Sequence, residues 1–167
     1  MTERDFKATV LPLAERIYPM IARMLNNHHS AEDAVQEIMI RMWDSRSKLG
    51  DHPNLTGYVF LTARNYCLDK VRKKSLKLHS LNGKTDAIEA QKGSSDLERD
   101  ELFAIIENLL KELPDQQGEV LKLRDIDGLE YGEIAEVMSL KVEHVRVLLS
   151  RARKTVSRQL KNIYNYE

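Results

Sequence analysis

Residues 129–160, LEYGEIAEVMSLKVEHVRVLLSRARKTVSRQL, carry the pattern that decides the fold. The stretch reads as two helices around a tight turn. The first buries Ile134, Ala135, Val137 and Met138, and Ser139 and Leu140 make the turn. On the second, at ~100° per residue, Val142, Val145, Leu149, Ala152, Val156 and Leu160 fall on one side as a core stripe. The opposite side presents Glu143, His144, Val147, Ser150, Arg151, Lys154 and Arg158, with Arg146 and Arg153 nearer the stripe. Reading a DNA groove needs guanidinium forks for guanine or phosphate, a hydroxyl, and an apolar group for a thymine methyl, and this face has all three. A helix-turn-helix puts such a face in the major groove. The plainer alternative is a solvated basic helix docked on its own domain.

The chain carries 26 Lys/Arg against 26 Asp/Glu in 167 residues, a balance that alone argues against nucleic acid. The zero is a cancellation. Residues 101–140 hold 3 basic and 10 acidic residues, whereas 141–167 hold 7 and 2. Phosphate attraction is therefore local to the last helix and to a short cluster near Arg72. The acidic stretch before it suits a protein partner or limits stray DNA binding.

The opening MTERDFKATV is charged, and no run approaches the ~20 apolar residues of a membrane span, so no membrane insertion or signal peptide is expected. Cys67 is the one cysteine and lies on the apolar side of a helix, where it packs; a reducing cytoplasm is the simplest compartment. Nearly every periodic segment repeats at helical spacing, which predicts an all-α fold. From Ser75 to Ser95 the pattern lapses into SLKLHSLNGKTDAIEAQKGSS, a linker of few large apolar groups. Two small helical domains are thus expected, residues 1–75 and 96–167, joined by a flexible linker over 76–95, the second containing the helix-turn-helix. Ser95 to Glu98 form a capping box for a helix that buries Leu102, Ile105, Ile106, Leu109 and Leu113 and stops at Pro114. A further helix carries Val120, Leu121 and Ile126 and ends near Gly128.

In the first half, Ser30 and Asp33 read as a capping box opening AEDAVQEIMIRMWDSR. Ala31, Val35, Ile38, Met39 and Met42 project one way, and Asp33, Glu37, Ile40 and Asp44 the other, flanked by Gln36, Arg41 and Trp43. An acidic face with an apolar centre is one a basic helical partner can grip, and equally a solvated face with an incidental isoleucine. The next helix, TGYVFLTARNYCLDKVRKK, buries Phe60, Ala63, Cys67 and Val71 and presents Tyr58, Thr62, Asn65, Tyr66, Asp69, Arg72 and Lys73. Rings and amides interleaved with cations suit unpaired bases, though cations at a helix C-terminus also answer its dipole.

The order AEDAVQEIMIRMW, TGYVFLTARNYCLDKVRKK, linker, LPDQQGEVLKLRDIDGLEYGEIAEVM and HVRVLLSRAR resembles the extracytoplasmic-function sigma factors of bacterial RNA polymerase over nearly the whole chain. The resemblance implies that Asp33, Gln36, Glu37, Ile40, Arg41 and Asp44 hold the coiled coil of the polymerase largest subunit. It implies that the loop from Lys48 to Thr56, with Asn54, and the helix through Tyr58, Thr62, Asn65, Tyr66, Asp69, Arg72 and Lys73 read the minus-10 element of promoter DNA. His144, Arg146, Val147, Ser150, Arg151, Lys154 and Arg158 would read the minus-35 element, and the other surface of that domain would meet the flap of the second-largest subunit. An anti-sigma factor is a further implied partner. Melting would need no catalytic residue, since binding the opened strand supplies the few kcal/mol that unstacking a base costs.

The chain departs from the family at Lys141, where a capping serine is common, and at Ser139, where the turn has a glycine; Ser139 is a candidate replacement cap. The usual Thr, Lys, Ser, Arg pattern stands as His144, Arg146, Val147, Leu148, and Gly118 and Gly132 replace better helix formers, at a cost of ~1 kcal/mol for each that lies in a helix interior. Two other classes remain to be separated. A dimeric operator-binding regulator would share the terminal helix-turn-helix. An enzyme would draw on His28, His29, Glu32 and Asp33, or Asp51 and His52, as metal ligands, but the sequence has no HExxH, clustered cysteines or phosphate loop, so neither a metal site nor a cofactor is expected.

Overall fold

The computed structural model describes residues 1–81 and 97–164, and the expected capping box at Ser95 lies outside them. Among the described residues there is no strand. The first half contains α1 (Glu3–Thr9), α2 (Leu13–Leu25), α3 (His28–Asp44), α4 (Arg46–Leu49) and α5 (Leu55–Leu81). The second contains α6 (Leu97–Lys111), α7 (Asp115–Leu121) running into a π-helical turn (Lys122–Ile126), α8 (Tyr131–Met138) and α9 (Val142–Tyr164).

Local chemistry sets the boundaries. Thr2 and Asp5 form a reciprocal capping box at the start of α1. Asn26 turns left-handed at φ 51°, ending α2. Asn27, not Ser30, then caps α3, its side chain accepting from the Ser30 amide at 2.8 Å. The helix therefore starts at His28, and His28 and His29 sit in its first turn. An asparagine in extended conformation competes successfully for the cap one turn upstream.

In the first half, α2, α3 and α5 enclose Ile17, Met20, Ile21, Ile38 and Phe60, all fully buried. Removing a ring such as Phe60 from water contributes about 1.5–3 kcal/mol. Cys67 is buried beside them, and burial pushes its thiol up to about 11. In the second half Val120, Leu123, Leu129, Ile134, Val145, Leu149 and Ala152 close around α7, α8 and α9. The halves are packed together chiefly along α5 and α8.

Several sequence expectations are corrected at the edges of these cores. Helix α5 continues through residues 76–81, which the lapse in periodicity had placed in the linker. Its end projects beyond the bundle, so Val71 is exposed rather than buried. Leu102 and Ile106 are exposed on α6, where Leu109, near its C-terminal end, is buried, as is Leu113 just after it. The π-helical turn rotates Ile126 outward and Leu123 inward. Gly128, at φ 76°, reverses the chain after it. Ser139 does not cap α9. It takes the left-handed conformation, φ 54°, that a glycine would occupy at the end of α8.

Candidate polymerase and promoter surfaces

Helix α9 has the division of faces that its spacing predicts. Val145, Leu149 and Ala152 are buried, while His144, Arg146, Ser150, Arg151, Lys154 and Arg158 are exposed, and Val147 stands 45% exposed among them. Leu148 is only 6% exposed, so it packs in the core and is no part of a reading face. Arg146 lies over the Tyr131 ring of α8 at 5.4 Å, which orients its guanidinium. Arg153 is engaged by Asp125, with Nε donating to Oδ2 at 3.0 Å, and is thereby withdrawn from the outer set. Arg151, Lys154 and Arg158 have no carboxylate partner among the described residues.

On α3, Asp33, Gln36, Arg41 and Asp44 are exposed, Glu37 is half-buried and Ile40 is 56% exposed. Arg41 donates to Glu37 at 3.0 Å and lies 5.0 Å from the centre of the Tyr66 ring on α5. Two groups that the sequence kept in separate sites, the acidic face and the aromatic-basic helix, thus adjoin.

The aromatic-basic set divides. Asn65, Asp69, Arg72 and Lys73 are exposed around the half-buried Tyr66, and Asp69 holds Arg72 at 3.2 Å. Lys70, absent from the sequence reading, completes this surface with its ammonium 5.4 Å from the Tyr66 ring centre. Thr62 donates to the Tyr58 carbonyl at 2.9 Å, so its hydroxyl proton serves its own helix. Tyr58 is half-buried against His52, whose ring is 4.9 Å away. Asn54 behaves differently from the rest. Its Oδ1 accepts from the Gly57 amide at 3.0 Å, and its Nδ2 donates to the Gly132 carbonyl of α8 at 2.9 Å. A side chain expected to face DNA thus faces the second half.

An open apolar groove of about 580 Å³ runs between α6, α7 and α9, lined by Ile106, Leu109, Leu121, Ile126, Val156 and Leu160. Among the described residues no three His, Cys, Asp or Glu side chains are grouped to hold a metal. No described helix is long and apolar enough to cross a membrane.

The sequence matches the models of sigma-70 region 2 over residues 10–76 and sigma-70 region 4 over residues 103–156. The extracytoplasmic-function RNA polymerase sigma factor SigW of Bacillus subtilis is 28% identical over 160 residues, covering 89% of this chain and 85% of the relative. The chain belongs to the extracytoplasmic-function sigma factors. SigM of Bacillus subtilis is a second such relative, 27% identical over 149 residues and covering 89% and 88% of the two chains. Among solved structures, the sigma factor RpoE of Bartonella quintana, in complex with the anti-sigma factor NepR, superposes with a TM-score of 0.66 at 25% identity over 95% of this chain and 98% of that one. CnrH, in complex with the cytosolic domain of CnrY, shares the fold with a TM-score of 0.64 at 22% identity over 96% and 90%. As a sigma factor the protein directs RNA polymerase to promoters; the family initiates transcription and is not a group of catalysts.

Proposed function

We propose that the working surfaces of this sigma factor divide by sign. The acidic face of α3, with Asp33, Gln36, Glu37, Arg41 and Asp44 around Ile40, holds the coiled coil of the polymerase largest subunit. The α9 face, with His144, Arg146, Ser150, Arg151, Lys154 and Arg158 around Val147, lies in the major groove of the minus-35 element. Asn65, Tyr66, Asp69, Arg72 and Lys73, joined by Lys70, receive the opened strand of the minus-10 element, where rings stack bases and cations follow the backbone. Asn54, Tyr58 and Thr62 border that surface. The groove beside α9 is the seat of the second-largest-subunit flap. Residues 1–75 and 96–167 act as the two functional domains, with the connection starting after the projecting end of α5 rather than at residue 76. The site of action is the cytoplasm, and an anti-sigma partner, as in the complexes of RpoE and CnrH, is the expected regulator.

The observation that carries the division is the pairing of an exposed apolar centre with charge of one dominant sign on each helix, Ile40 at 56% and Val147 at 45% exposure. Apolar burial supplies energy and the charged rim sets orientation and partner choice. A photo-crosslinking residue placed at each position tests it in complexes of the full chain with core polymerase and promoter DNA. Position 40 is expected to label the largest subunit and position 147 the upstream DNA; exchange of these targets would overturn the assignment.

A further inference from the structure

Helix α1 lies outside the surfaces assigned above, and the match to sigma-70 region 2 begins only at residue 10, after α1 has ended. It has seven residues, yet its start is fastened by the Thr2–Asp5 capping box and its outer side by a Lys7–Glu3 bond of 2.6 Å. A segment this short is not stable as a helix on its own, so it is held by what it packs against. Phe6 is 5% exposed and meets the Trp43 ring of α3 edge to face, with centroids 5.1 Å apart and planes at 84°. The Arg46 guanidinium of α4 lies 4.1 Å from the centre of the same indole, and its Nη1 donates to the Trp43 carbonyl at 2.9 Å. The series Phe6, Trp43, Arg46 thus ties α1 to the corner where α3 passes into α4.

A second contact of this segment falls on the loop that follows α4. Gly50 has right-handed helical angles, φ −58° and ψ −33°, which any residue adopts. The approach of residue 1 explains its lack of a side chain: a Cβ there would stand 3.2 Å from the Met1 nitrogen and 3.8 Å from the Met1 Cα. Beyond Gly50 the loop is fastened by its own groups. The His52 amide donates to the Leu49 carbonyl at 3.2 Å, the Asn54 amide to His52 Nδ1 at 3.1 Å, and the Gly57 amide to Asn54 Oδ1 at 3.0 Å. The downstream end therefore supports itself, whereas the upstream end leans on residues 1–6. Between the two ends Asp51 and Pro53 are exposed.

We propose that α1 braces the minus-10 loop, with Phe6 and Gly50 as positioning residues: the Phe6–Trp43 and Met1–Gly50 contacts hold the loop from Lys48 to Thr56 in the shape that reads promoter DNA. This rests on the reading of that loop, with Asn54, as part of the minus-10 surface. Phe6 is buried and acts only through Trp43 and the loop. A loop held in its reading shape before DNA arrives loses less conformational entropy on binding, so the brace strengthens the hold on a matched element. It also sharpens selectivity, because a loop free to rearrange adapts to a mismatched base.

The test uses the full chain, free and with core polymerase, as Gly50→Leu and Phe6→Ala, with Phe6→Leu as the conservative variant. Gly50→Leu removes no core side chain, so it serves if Phe6→Ala loses its helices in circular dichroism. Trp43 is the single tryptophan of the chain, and its emission reports whether α1 is seated. In Gly50→Leu and Phe6→Ala that emission is expected to move to the red. Amide hydrogen exchange over residues 50–57 is expected to quicken by about tenfold or more while the buried part of α5 keeps its protection, as for local rather than global opening. Discrimination between a promoter and its minus-10 base substitutions in open-complex formation is expected to fall by about tenfold, with core association and minus-35 duplex binding unchanged. Phe6→Leu is expected to restore most of that discrimination. Loop exchange as slow as wild type in Gly50→Leu overturns the proposal, and so does exchange that quickens equally along α5, which is loss of the fold and not of a brace. A loosened loop with discrimination intact would instead remove the loop from the minus-10 surface and leave the brace standing.

Discussion

Helices α3 and α9 present the same design in opposite charge. Each buries one stripe and exposes a charged face with a single aliphatic side chain at its centre, Ile40 on α3 and Val147 on α9. Their charges are treated differently. On α3, Glu37 is held by Arg41, which also reaches the Tyr66 ring, and His29 stands 3.6 Å from Asp33. On α9, Arg151, Lys154 and Arg158 have no carboxylate partner among the described residues, and the cation that does, Arg153, points to Asp125. A face for a protein gains from side chains already fixed in place, because ordering them costs less on binding. A face for DNA gains from unpaired cations, since each replaces a condensed counterion at a phosphate.

The contrast can be broken from either side. The largest effect is expected from Asp33→Lys/Glu37→Lys, which inverts the α3 face: association with core polymerase falls at least about a hundredfold in a comigration or binding assay, as expected when rim and centre become repulsive, while the helical spectrum is unchanged. Retained association would take α3 out of the interface. Adjacent residues on α9 sharpen the other side. Leu148→Ala is expected to cost about 2–5 kcal/mol in denaturant unfolding because it empties a core position. Val147→Ala is expected to stay within about 0.5 kcal/mol of wild-type stability yet weaken binding to a minus-35 duplex. Equal stability losses would mean that α9 is rotated from the orientation described. Arg151→Ala/Lys154→Ala is expected to weaken duplex binding and lower the slope of log affinity against log salt by about 2, one for each lost phosphate contact. An unchanged slope would show that neither touches phosphate. The smallest change is Lys141→Ser, which restores a cap before α9 and is expected to raise stability by about 0.5–1 kcal/mol in thermal unfolding. No gain would show that the start of α9 is already satisfied.

Sequence periodicity was sufficient for α8, α9 and the buried stripe of α3, because each packs one face on a core along most of its length. It failed where a helix leaves its core. Val71, Leu102 and Ile106 fit a buried stripe by spacing, but α5 and α6 overrun the bundle there, and periodicity carries no information about where the supporting neighbours end. Ile126, expected on the buried side, is exposed, and Leu123, which the sequence did not single out, is buried, because a π-helical turn adds a residue to the repeat. Asn27 took the cap that Ser30 was expected to supply, since two good caps three residues apart are not ranked by sequence alone. The ion pairs between the two halves, Arg16–Glu133, Arg23–Asp127 and Arg64–Glu119, were legible only as a charge imbalance. Partners such as Arg16 and Glu133 lie 117 positions apart, and Gly57 reads as an unremarked residue before Tyr58 until α8 is seen against it.

The most direct test of the two-face account uses one chain and two readouts: core association and minus-35 duplex binding, measured for wild type, Asp33→Lys/Glu37→Lys and Arg151→Ala/Lys154→Ala. The account predicts a crossed result, in which the α3 variant loses core but keeps the duplex, and the α9 variant keeps core and loses the duplex. Parallel loss of both functions in either variant, with the helical spectrum intact, would contradict it.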